Sequence, residues 1–133
     1  MQVSRKIQAA LLAAAVAYGS GAGAHEFPAG QDSDIRAYGH DPAWTLDIAG
    51  ASGKLTLTLD GVTSSYKIPG LGPSIYREQL KMVYRVPNDR HVLTVIVKGE
   101  TCRDVPTGKS HEVTVIVAQD GRGYAGCGDV LNR

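Results

Sequence analysis

The sequence predicts an all-β fold, a small antiparallel meander of about seven strands that curls into a barrel or sandwich and is clipped by one disulfide. Three observations predict it. Apolar residues recur at every second position through most of residues 38–133, turn signals rich in Gly, Pro, Asn and Asp separate the apolar runs, and the only two cysteines are Cys102 and Cys127.

The first element is a targeting segment. Arg5 and Lys6 precede an apolar run from Ile7 to Tyr18, which ends in the small residues Ala22-Gly23-Ala24, the pattern of a secretory signal peptide over residues 1–24. The run falls short of the roughly 20 residues that span a bilayer, and Gly19, Gly21 and Gly23 disfavour a continuous helix. A periplasmic or secreted location is therefore expected, with no transmembrane segment in the mature chain.

Removing those 24 residues from the 133 leaves 109, enough for one domain with a single core. The segment takes two of the 14 Lys and Arg and none of the 13 Asp and Glu, which leaves 12 against 13. That balance, with no run of basic residues, argues against a nucleic-acid partner. Residues 25–37 are poor in apolar side chains and predict a flexible lead-in, so the β domain is expected over 38–133.

The strands follow in order. Trp44, Leu46 and Ile48 alternate with Thr45 and Asp47, and Leu55, Leu57 and Leu59 alternate with Thr56 and Thr58. Weaker patterns cover Ser64–Ile68 and Leu80–Val86, and Ile75–Lys81 is the one segment suited to a helical turn. His91–Lys98 and Ser110–Ala118 are dense in Val, Ile and Thr, and Gly123–Cys127 closes the series.

Export places both cysteines in an oxidising compartment, where two in a small domain are usually joined. A redox or thiolate-metal role lacks the C-x-x-C or the extra Cys and His it needs. Closing that loop is worth on the order of 3 kcal/mol. Cys102 follows one strand and Cys127 ends another two places away, so the loop after the first must close a gap of about 9–10 Å. The expected result is a hairpin clipped over the barrel rim.

Other candidates are fewer. Trp44 shares the phase of Leu46 and Ile48, which suits a core anchor or a ring lining a ligand cavity at the barrel mouth. His91 and His111 open consecutive antiparallel strands, which places them at opposite ends, so one metal cannot bind both. Isolated turn histidines are mostly just solvated and no metal is expected; the candidates, were one bound, are His40, Asp41, Asp89 and His91, which could gather at one rim as a set suited to zinc or copper(II), and His25, which would become an N-terminal chelator on cleavage. Ser64, Ser65 and Ser74 lack a nucleophile elbow, and the Gly-rich "DGRGYAGCG" lacks the helix of a phosphate loop.

The stretches "YGHDPAWTLDI" and "CRDVPTGKSHEVTVIVAQDGRGYAGCG" resemble a family of small exported bacterial proteins of uncharacterised function, with a G-N-E-P-x-W-like opening and a C-x-D to G-C finish. His40-Asp41 stands where Asn-Glu is usual, and Val105-Pro106 follows Asp104 in place of a small Gly. The resemblance implies a Cys102–Cys127 disulfide and a compact β domain; the family has no settled activity, so it lends no catalytic role to any residue. The expectation is an exported binding or interaction module rather than an enzyme, without cofactor, whose partner is an envelope protein or a small ligand. The alternatives are an inhibitor of a cell-wall hydrolase such as lysozyme and a small metalloprotein using His40 and His91.

Overall fold

A computed structural model describes residues 27–70 and 72–132. The expected signal peptide and His25 lie outside the described residues. The period-two runs become strands β2 (Trp44–Ala49), β3 (Lys54–Leu59), β4 (Val62–Lys67), β6 (Lys81–Pro87), β7 (Val92–Lys98), β10 (Val113–Gln119) and β11 (Arg122–Val130). Four more strands complete the described residues: β1 (Asp34–Gly39), β5 (Ser74–Tyr76), β8 (Cys102–Arg103) and β9 (Ser110–His111). The expected helical turn is a single 3-10 turn, Arg77–Gln79, stopped by Leu80 in the left-handed conformation.

Nine strands form one sheet in the order β4-β3-β2-β1-β11-β10-β7-β6-β5. All pairings are antiparallel, and the sheet curls until β4 lies beside β6 without backbone pairing to it. The fold is therefore an all-β half-barrel. Among the described residues no helix is long and apolar enough to cross a membrane.

The concave face is the core. It collects Leu46, Leu55, Leu57, Val95, Val97 and Val115, none more than 1% exposed, with Met82 and Tyr84 from β6. Each such aliphatic side chain stabilises the fold by about 1.5–3 kcal/mol. Burial deprives the Tyr84 hydroxyl of water and pushes its pKa far up.

Trp44 is 2% exposed and lies over two glycines. A Cβ at Gly39 would stand 2.2 Å from the indole Nε1, and one at Gly126 would stand 2.7 Å from Cζ2 and 2.0 Å from the Tyr38 carbonyl oxygen. Gly39 of β1 and Gly126 of β11 thus make room for a large ring against the sheet. The indole N–H has no acceptor among the described residues, a cost of about 1–3 kcal/mol that the burial of the ring offsets.

Two expectations are corrected. Residues 25–37 are not a lead-in up to position 37: β1 begins at Asp34 and pairs on both sides, with Ile35 opposite Val130 and Ile48. Its inward residues Ile35, Ala37 and Gly39 shrink in size toward the Trp44 ring, so the hydrophobic alternation that marks other strands fades there. The clip also does not cross the rim. Cys102 and Cys127 are bonded, with Cα atoms 5.3 Å apart, but Cys127 lies opposite Tyr38 and Thr114 on the convex side of the sheet. The β8–β9 hairpin is therefore pinned flat on the outer wall.

Strand β10 is one-sided, as its phase requires. Val113, Val115 and Val117 are buried, whereas Thr114 and Ile116 on the other face are half-buried. Val113→Asp places a charge in the core at a cost of several kcal/mol, comparable to the stability of a domain this size, and the variant is expected to be unfolded. Thr114→Asp should cost about 1 kcal/mol. Thermal melts under oxidising conditions check this, and equal losses would reject the one-sided wall.

Candidate functional site

The two ends of the half-barrel differ in how they are filled. Toward the end bearing the Asp60-Gly61 and Asp120-Gly121 turns, the inward positions change from large aliphatic residues to Val62 and Ser64 on β4, Gln119 on β10 and Arg122 and Tyr124 on β11. Ser64 is too small to reach the opposite wall. A cavity of about 320 Å³ remains. Its apolar wall is Pro42, Leu57, Leu59 and Val62, and its polar groups are Asp60, Ser64, His91, Gln119, Arg122 and Tyr124.

The floor of this cup is a cross-barrel bond: Gln119 Nε2 donates to Tyr66 Oη at 2.6 Å. Tyr66 is buried on β4 and Gln119 comes from β10, so the bond ties opposite walls beneath the cavity. At the rim, His91 Nδ1 faces Asp120 Oδ2, which orients the imidazole and leaves Nε2 without a partner among the described residues. The Asn88 side chain accepts from the backbone N–H groups of Arg90 and His91 and shapes the turn that carries the ring.

A second polar cluster lies on the convex face beneath the β8–β9 hairpin. Asp104, 5% exposed, is its centre. Thr107 Oγ1 donates to Asp104 Oδ2 at 2.6 Å, Tyr38 Oη donates to the same oxygen at 3.0 Å, and His40 Nε2 lies 3.0 Å from Oδ1. His111 Nε2 is 2.9 Å from Tyr38 Oη, and its Nδ1 is 2.7 Å from Asp129 Oδ2. The one hydroxyl proton of Tyr38 serves one neighbour at a time. When it goes to Asp104, the Tyr38 oxygen accepts from the Nε2–H of His111; when Nε2 carries no proton, Tyr38 donates to it instead.

The Thr107 hydroxyl, with smaller help from Tyr38 and His40, holds the Asp104 carboxyl below its ordinary value of 3.8 against the opposing effect of burial. Burial, followed by the bond to Asp104, pushes the Tyr38 hydroxyl above its ordinary value of 10.0. These are the marks of a satisfied polar network that docks the hairpin on the sheet.

The candidate rim set of His40, Asp41, Asp89 and His91 does not gather. His40 continues the outward phase of Arg36 and Tyr38 and turns to Asp104 on the convex face, whereas His91 stands at the mouth beside Asp120. The unread strand β1 is the reason, because it sets the side on which the following turn points. Asp41 and Asp89 are exposed, and among the described residues no group of three or more His, Cys, Asp or Glu is placed to hold a metal. His91 and His111 do lie at opposite ends, since β10 runs antiparallel to β7 with Gln119 opposite Leu93 and Thr114 opposite Lys98. Trp44 is core and does not line the mouth.

Sequence reading missed Ser64, Gln119, Arg122 and Tyr124 as one group. The available signal was polar or small residues at inward phases: Ser64 follows the parity of Tyr66, and Gln119 that of Val117. No family model, curated protein or solved structure matches the chain.

Asp104 links the convex cluster to acid stability. A carboxyl whose folded pKa is depressed stabilises the fold above its unfolded value and loses that contribution as pH falls through the folded value. The stability gap between the natural protein and Asp104→Asn should be constant from about pH 5 upward and should narrow as pH falls below 3.8. Thermal melts from neutral to strongly acid pH measure it, and a gap that stays constant in acid would show that Asp104 is not depressed.

Proposed function

We propose that this protein is an exported binding module that holds a small ligand in the mouth of its half-barrel. Export rests on the N-terminal pattern of Arg5, Lys6, the apolar run and Ala22-Gly23-Ala24. The binding reading rests on one observation: the mouth is concave, walled by Leu57, Leu59, Val62 and Pro42, and fringed by polar side chains that have few partners of their own. A site with an apolar wall and a few convergent polar groups is the common form of a small-molecule pocket, and about 320 Å³ falls at the lower end of the roughly 300–1,000 Å³ range of such sites.

The scaffold suits the role. Loops carry the rim, while the wall is strands whose opposite sides are tied by the Tyr66–Gln119 bond and whose outer face is clamped by the Cys102–Cys127 bridge. A preformed cup of this kind loses little freedom when it binds.

Two measurements test the proposal. Intact mass of protein recovered from the cell envelope should show a chain that begins at His25 and carries no free thiol; a retained N-terminus rejects export. Ser64→Trp should fill the cup while the circular dichroism spectrum and melt stay near those of the natural protein. Small molecules retained by the natural protein in native mass spectrometry of envelope-purified material should be lost from the variant. Equal retention by both proteins rejects the mouth as the site.

A further inference from the structure

Resting on that reading of the mouth, we propose that the ligand is an uncharged saccharide unit, recognised by its vicinal hydroxyls and by one apolar face of its ring. The charge inventory of the cup argues for a neutral ligand. Arg122 brings one positive charge and Asp60 one negative, and the ring nitrogen of His91 nearest a carboxylate already faces Asp120. An anionic ligand drawn to Arg122 would share the cup with Asp60, and a cationic one drawn to Asp60 would share it with Arg122.

The unengaged polar atoms argue for hydroxyls. Among the described residues the Arg122 guanidinium, the Asp60 carboxylate, the Ser64 and Tyr124 hydroxyls and His91 Nε2 make no side-chain hydrogen bond or ion pair. These include a donor-only group, an acceptor-only group and groups that do both. A hydroxyl both donates and accepts, and adjacent hydroxyls on a ring match the paired atoms of a carboxylate or guanidinium. A lipid chain would leave these groups unpaired, at a cost of about 1–3 kcal/mol for each one buried.

The apolar wall completes the match. Leu57, Leu59 and Val62 stand with the Tyr124 ring around the same space, and a pyranose presents C–H groups on a face that packs against such a surface. At about 320 Å³ the cup is small for a folded peptide and suits a ligand of about one or two rings.

Amide chemical-shift titration of the full mature protein tests this, with glucose, galactose, N-acetylglucosamine and N,N′-diacetylchitobiose as probes and octanoate and benzoate as charged comparators. At least one sugar should give saturable shifts confined to residues around positions 60–64, 91 and 119–124, with a dissociation constant near the millimolar range expected for so small a contact (roughly 4 kcal/mol). Asp60→Asn, which keeps the size of the side chain, and Arg122→Gln, which removes the guanidinium but keeps a polar amide, should each weaken that sugar about tenfold or more, a loss of roughly 1.4 kcal/mol, and Ser64→Trp should abolish it. Saturation of the mouth by octanoate or benzoate but by no sugar overturns the saccharide class and leaves the mouth as a binding site. Sugar shifts that do not saturate, or that survive Ser64→Trp, overturn the proposal. A mouth that no probe perturbs overturns it together with the reading on which it rests.

Discussion

The structure hangs on the pairing of Asp34–Gly39 between β2 and β11. The chain makes two meanders, β2 to β4 and β5 to β11, and their strands are joined in one sheet only through β1. The register is tight on both sides, with Ala37 opposite Leu46 and Gly128. Because side chains alternate faces strictly along a strand, this one register decides what faces inward and what faces outward where β1 meets its two neighbours. It puts Gly39 beneath the Trp44 ring, and it turns Tyr38 and His40 outward to meet Asp104. The same strand brings the N-terminal part of the domain against its last strand, so the fold is not complete until residue 130 has been placed.

The convex cluster and the bridge then act together. Closing a loop of sequence separation 25 stabilises the folded chain by about 3 kcal/mol, but the covalent bond alone fixes only one end of the hairpin. Asp104 fixes the other, through Thr107 within the hairpin and through Tyr38 and His40 across to β1 and the turn after it. Asp104 N–H donates to the Lys109 carbonyl, and the Gly108 N–H donates to the carbonyl of Asp104, so the buried residue is bonded at backbone and side chain alike. Burying a carboxylate is costly unless its lone pairs are met, and here three side chains meet them. The hairpin is thereby a brace on β1 and β11, the two strands whose pairing joins the meanders.

Most of the fold was legible because it is written in period two. Leu55-Thr-Leu57-Thr-Leu59 and Val113-Thr-Val115-Ile-Val117 each bury one face, and the turn signals between them are local chemistry. The disulfide was legible from compartment and number. What was not legible has a common physical cause: small side chains carry little hydrophobic signal. Strand β1 buries the small Ala37, and Gly39 at a position where a side chain would collide with Trp44, so it reads as polar coil. Its omission moved His40 to the wrong side of the wall and produced the candidate metal set. The histidine at the mouth was placed at the correct end, because its own strand was strongly patterned.

The mouth follows from the same economy of size. A half-barrel is filled where its inward residues are large, and Trp44, Leu57 and Tyr84 belong to one buried core. Toward the turn end, β4 presents Ser64 inward between Val62 and Tyr66, and so small a side chain there leaves the space of the cup open. Val62 is 68% exposed, which a leucine-filled end would not permit. The open end is thus a local exchange of hydrophobic burial for access. Such an exchange is tolerable only because the Tyr66–Gln119 bond seals the core below it. That bond gives the buried tyrosine hydroxyl its partner, keeps water from the aliphatic layer, and turns the unfilled end of the barrel into a cup with a polar floor.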